Sequence, residues 1–132
     1  MSFVLSIVTP KGVYFKDEVE SLTIKLTSGY RTFLSHHADL IGALDYAPMH
    51  FVKDGKTEYY AIHGGAISVH NNQINVIVNA IERKDEIDLE RAKAAKLRAE
   101  ERLNNKDVNI DVKRARLALL RAISRIKTAE LN

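Results

Sequence analysis

The sequence predicts an α+β fold, mainly β. An N-terminal antiparallel β-sandwich or flattened barrel, residues 1–84, is followed by a C-terminal antiparallel two-helix hairpin, residues 85–132. Three observations carry this. Apolar and polar residues alternate through the first part, as half-buried strands require. From about residue 85 the apolar period becomes helical. The composition changes at the same place, since all nine Phe and Tyr lie at or before Tyr60.

The elements follow in order. "FVLSIVT" alternates from Phe3. "SLTIKLT" puts Leu22, Ile24 and Leu26 on one face and Thr23, Lys25 and Thr27 on the other. "HFVKDGKTEYYAIHGG" sets Asp54-Gly55 between two β-prone runs, a strong hairpin signal because the tight turn needs positive φ. "AISVHNNQINVIVNAI" repeats the plan with Asn71-Asn72, since Asn tolerates left-handed backbone angles. Eight to ten short strands without an intervening helix are expected. Asp85 is then placed to cap the first helix, with Asp88 three residues on at capping-box spacing. "NNKDVN", residues 104–109, breaks the pattern, and a second helix runs from about Asp111 to Ala129.

The helices meet through small residues. Ala92, Ala95, Ala99 and Leu103 answer Ala115, Leu119, Ala122, Ile126 and Ala129. At about 0.8 kcal/mol per buried CH₂, such a seam gives only marginal closure. The hairpin is not expected to be held shut by its seam alone.

Composition removes several function classes. There is no cysteine, hence no disulfide framework and no thiolate chemistry. The N-terminal run has no basic flank and is broken by Ser6 and Pro10, and no apolar stretch is long enough for a bilayer; a soluble intracellular protein is expected. Gly55-Lys56-Thr57 lacks the upstream glycine of a phosphate loop, where His50 stands instead. His36-His37 has no carboxylate or thiol at ligand spacing, so no metal is expected. His63 and His70 fall in strand patterns and read as packing or surface residues. No Ser/His/Asp or paired-carboxylate arrangement stands out, and no catalytic residue is expected.

The charge has one informative feature. Residues 1–84 hold eight basic and eight acidic residues, whereas residues 85–132 hold twelve and nine, so the net charge of +3 comes from the helices. A turn centred near Asp107 sets Arg125 opposite Leu89 and Arg121 opposite Lys93. At about 100° per residue, Arg91 lies roughly 60° and Arg98 roughly 80° from Asp88 around the first helix. Arg91, Arg121 and Arg125 thus converge beside Asp88, with Arg98 about 10 Å further along. Such a cluster repels itself and suits an anion with several acceptor oxygens, a polyphosphate above all. Two plainer readings stand beside it. A first-turn carboxylate complements the helix dipole whether or not anything binds, and the arginines can form a solvated face. A basic nucleic-acid-binding module is less favoured, because acids interleave with the bases and no aromatic past Tyr60 can stack on a base.

"IVTPKGVYF" and "GGAISVHNNQINVIVNAIERKDEIDLERAKAA" resemble the epsilon-subunit family of bacterial F-type ATP synthases, and the resemblance spans essentially the whole chain. It implies a non-catalytic rotor subunit, peripheral on the cytoplasmic face of the plasma membrane, that takes part in ATP synthesis and proton transport. The sandwich would bind the gamma subunit and the c-ring. The hairpin would open along gamma, among the alpha and beta catalytic subunits, to block ATP hydrolysis. No cofactor is required, but some members bind regulatory ATP on the folded hairpin through an I/L-D-x-x-R-A motif, present here as Ile87, Asp88, Arg91 and Ala92. By that resemblance Ile87, Asp88 and Ala92 lie around the adenine, Arg91, Arg98, Arg121 and Arg125 on the phosphate side, and Glu82 is an upstream neighbour. The same rotor subunit with a hairpin that binds no nucleotide is the alternative. "GYRTFLSHHADL", residues 29–40, departs from the family's "GEMGILPGHAPL"; it implies a c-ring contact loop with Tyr30, Arg31 and His37.

Overall fold

The computed structural model describes residues 1–105 and 111–131. The break at 104–109 and the turn near Asp107 therefore lie mostly outside the described residues. Eight strands come first: β1 Phe3–Thr9, β2 Gly12–Val19, β3 Ser21–Leu26, β4 Gly29–Phe33, β5 Leu40–Lys53, β6 Lys56–His70, β7 Gln73–Val78 and β8 Ile81–Arg83. A 3-10 turn, Lys84–Glu86, leads to α1, Leu89–Asn104, and α2, Val112–Ala129. The sheet order is β2-β1-β7-β6-β5-β3-β4, with β8 added to β6.

The alternation in the sequence becomes inside and outside. Leu22, Ile24 and Leu26 are buried, as are Phe3, Leu5 and Ile7, around Phe33, Phe51, Ile67 and Val76. Both expected turns form with positive φ: Asp54 at 51° and Gly55 at 75°, Asn71 at 50° and Asn72 at 58°. Two features differ from expectation. β1 and β7 pair in parallel, within ladders otherwise antiparallel among the described residues. And the strands are not all short, since β5 and β6 run 14 and 15 residues, and each pairs with more than one neighbour.

β6 changes partner at Gly64-Gly65. Its residues 65–70 pair with β7, and its residues 60–62 pair with β8. A side chain cannot replace Gly65, because an added Cβ would lie 1.9 Å from the Ile77 carbonyl oxygen at a φ of 143°. This change of partner sets Glu82, on β8, opposite Ala61.

The start of α1 also differs. Asp85 does not cap it: the Asp85 carboxylate accepts from Arg83 Nε at 2.7 Å, and Glu86 accepts from the Arg83 backbone N–H at 3.2 Å. These contacts close the 3-10 turn on the end of β8. Ile87 is then extended, and Asp88 is the N-cap, its carboxylate accepting from the Arg91 N–H at 3.1 Å. Asp111 caps α2 through the Arg114 N–H at 3.0 Å.

The seam is small, as expected: Ala92 and Ala99 on α1 and Ala115 and Ala122 on α2 are its buried residues. α2 also lies on β5 and β6. There it buries Ser124 and Thr128, and the Ser124 hydroxyl donates to the Ile62 carbonyl at 3.4 Å. The dock thus combines this polar contact with the half-buried Ile123 and Ile126 of the same helix.

Candidate functional site

A cavity of about 380 Å³ opens where α1, α2 and the end of β8 meet. Its charged lining is Glu82, Glu86, Asp88, Arg91, Arg98 and Arg125. Ala92 and Ala95 form an apolar wall. The helical period of α1 brings Asp88, Arg91, Ala92, Ala95 and Arg98 to one side, and docking of α2 supplies Arg125 from across the seam. Neither half of the site is complete alone.

Six of the eight residues named from the sequence line this cavity: Glu82, Asp88, Arg91, Ala92, Arg98 and Arg125. Ile87 does not line it; it is half-buried in the extended link before α1. Arg121 does not line it either, and borders a separate hollow with Asp111, Lys113, Arg114 and Leu117. It sits one turn before Arg125, and the carboxylate that holds Arg125 at the cavity holds that one guanidinium.

That carboxylate corrects a further expectation. The arginines do not all stand without an internal counterion, because Arg125 Nε donates to Glu82 Oε1 at 2.5 Å. Arg91 and Arg98 have no ion pair among the described residues. The cavity thus balances three carboxylates against three guanidiniums, and two of the latter are open to a ligand.

Sequence reasoning missed Glu86 and His63. His63 is buried, and its Nε2 lies 3.4 Å from the same Glu82 oxygen. Burial, then the Arg125 charge, push its pKa below the usual 6.5, against the opposing pull of Glu82. No local sequence signal joins residues 63, 82 and 125; only the β6–β8 ladder and helix docking do. Glu86 was legible in principle as an acid immediately before the motif.

The residues named as a ring-contact loop fall in two settings. Tyr30 and Arg31 belong to β4, paired with Lys25 and Ile24 of β3. The Tyr30 hydroxyl donates to the Pro48 carbonyl at 3.0 Å, beside the C-terminal end of α2. His37 lies past the end of β4, its ring 4.6 Å from that of Phe33 and its Nδ1 hydrogen-bonded to the Ala38 carbonyl at 2.7 Å.

Comparison with known proteins follows the same division of the chain. The model of the ATP synthase delta/epsilon chain β-sandwich domain matches residues 2–84, and that of its long α-helix domain matches residues 85–130. The chain belongs to the ATP synthase delta/epsilon family. Among its curated relatives, the ATP synthase epsilon chain of Desulforamulus reducens is 45% identical over 106 residues, covering 80% of each chain. That of Pelotomaculum thermopropionicum is 45% identical over 102 residues, 77% of this chain and 76% of the other. That of Shouchella clausii is 36% identical over 105 residues, 80% and 79%. As an epsilon-type member of the family it is a stalk subunit of the ATP synthase complex. A chain of the Euglena gracilis mitochondrial ATP synthase shares the fold with a TM-score of 0.84 at 19% identity, covering 93% of this chain and 78% of that one. One from the Tetrahymena thermophila mitochondrial ATP synthase central stalk and c-ring shares it at 0.66 and 15%, covering 95% and 96%.

Proposed function

We propose that this epsilon-type chain is a non-catalytic rotor subunit whose hairpin holds ATP when closed and restrains ATP hydrolysis when open. In this reading the sandwich binds the gamma subunit and the c-ring, so that the catalytic head is coupled to the membrane ring. The opened helices lie along gamma, among the alpha and beta subunits. The subunit is peripheral, on the cytoplasmic face of the bacterial plasma membrane; among the described residues no helix is long and apolar enough to cross one.

The observation that carries the nucleotide reading is the cavity itself. It joins two open guanidiniums, Arg91 and Arg98, to an apolar wall of Ala92 and Ala95, and is completed by Arg125 only when α2 is docked. Forked guanidiniums suit phosphate oxygens, and an alanine wall admits a flat base. ATP then favours closure through its differential affinity for the closed form. At 100 times its dissociation constant it adds about 2.7 kcal/mol, enough to govern a marginal seam. For the sandwich, support comes from a row of apolar side chains facing solvent: Val13, Val8, Ile77, Ala66 and Ala43 are neighbours across five strands. Val13 and Ile77 are 66% and 58% exposed, as suits a surface with a partner.

Calorimetric titration of the chain with ATP tests the site. Saturable heat is expected, and Arg91→Ala or Arg125→Ala should weaken binding roughly 10- to 100-fold, the worth of a charge-assisted hydrogen bond. No heat at millimolar ATP, or unchanged affinity in both variants, contradicts the reading. A second reading, the same rotor subunit with a hairpin that binds no nucleotide, draws on the Glu82–Arg125 pair, which already neutralises one of the three guanidiniums.

A further inference from the structure

We propose that Glu82 is a shared counterion that changes partner when a phosphate anion enters the cavity, so that ligand binding takes up a proton on His63. The identity of the ligand rests on the nucleotide reading above; the shared carboxylate is a feature of the fold.

One oxygen atom serves two groups. Glu82 Oε1 accepts from Arg125 Nε at 2.5 Å and lies 3.4 Å from His63 Nε2. His63 is 1% exposed, and its Nδ1 is buried with no hydrogen-bond partner among the described residues. The charged and titratable groups around it come from three elements. β5 brings Tyr46, whose ring centroid lies 6.0 Å from that of His63, β8 brings Glu82, and α2 brings Arg121 and Arg125. In the empty site the balance opposes an imidazolium. The ring is desolvated, two arginines repel a further positive charge, and the carboxylate that favours it is engaged by Arg125.

A phosphate in the cavity reverses that balance. Arg125 lines the cavity and is the only guanidinium there with an internal partner among the described residues. When its fork turns to phosphate oxygens, Glu82 loses its stronger partner. A half-buried carboxylate left without a counterion is costly. His63 is the nearest group able to supply one. A proton from solvent adds to Nδ1, and the imidazolium keeps its Nε2–H on Glu82. Proton and phosphate thus favour one another, and by reciprocity acid conditions tighten binding of the anion.

The test is calorimetric titration of the full chain with ATP in buffers of differing ionisation enthalpy, from pH 6 to 8, alongside His63→Gln. The wild type should take up a larger fraction of a proton per ATP than the variant. Its affinity relative to the variant should tighten about tenfold on the acid side for each unit by which binding raises the His63 pKa. Titration of ATP itself is common to both proteins and drops out of the difference. Equal proton uptake in both overturns the exchange and leaves the nucleotide site standing. Absence of ATP heat in the wild type overturns both. Should the variant not fold, NMR titration of the His63 ring in the wild type decides instead. An upward displacement of its midpoint with ATP supports the exchange, and an unmoved or lowered midpoint overturns it.

Discussion

In the sandwich the deeply buried side chains include Phe3, Phe33 and Phe51; in the hairpin the comparably buried apolar positions are alanines, Ala92, Ala99, Ala115 and Ala122. The two regions therefore differ in how firmly their folding is decided. A buried aromatic ring carries a large transfer free energy, and a methyl group very little. The sandwich is a committed framework, whereas in the proposed reading the hairpin is closed by contacts small enough for a ligand to govern.

The sharpest way to break that contrast is to remove a ring. Phe51→Ala should cost the sandwich about 3–5 kcal/mol, read by chemical denaturation. A much smaller loss would show that the aromatic core is not what commits it. Filling the seam comes next. Ala122→Leu forces apart helices that approach over a methyl group, at a cost of about 1–3 kcal/mol. That loss should appear as reduced protection of α1 and α2 in hydrogen exchange, with the strands unchanged. Loss of strand protection as well would mean that the two regions unfold as one. Asp88→Ala removes the N-cap of α1 and should cost about 1 kcal/mol of helix stability. Measured with ATP, it also separates the capping role of Asp88 from any contact with ligand.

Proton-linked effects sharpen the comparison and are the smallest near neutrality. Burial raises the Tyr60 pKa to about 12 from 10.0. Its folded value lies above the unfolded one, so its contribution is present below pH 10 and is lost as pH rises toward 12. Tyr60→Phe should remove that part of the alkaline slope. His63 runs the other way, with a folded value below 6.5. Without nucleotide, the docking of α2 should weaken as pH falls below 6.5, because the freed imidazole takes up a proton more readily. Protection of α2 amides, taken relative to their intrinsic exchange rate at each pH, should fall there, while that of the strands holds.

Much of the framework was legible. Strand faces followed from the alternation at Leu22, Ile24 and Leu26, and turns from Asp54-Gly55 and Asn71-Asn72, because these properties are local. The face of α1 was legible for the same reason, since Asp88, Arg91 and Arg98 share it by helical period alone. What escaped depended on distant parts of the chain. The parallel β1–β7 pair joins residues about seventy apart in the sequence. The displacement of the cap from Asp85 to Asp88 depends on Arg83 at the end of β8 drawing both carboxylates of the turn back. The neutralisation of Arg125 follows from Glu82, which reaches the helices because β6 exchanges β7 for β8 at Gly64-Gly65.

The central claim, that the hairpin is loosely docked and answers to ATP, is tested most directly by a distance across the dock. The chain has no cysteine, so spin labels at Thr32→Cys on β4 and Lys127→Cys on α2 report one pair. With saturating ATP, a single narrow, short distance distribution is expected; on its removal a longer, broader population should grow. Identical distributions with and without ATP would contradict the account.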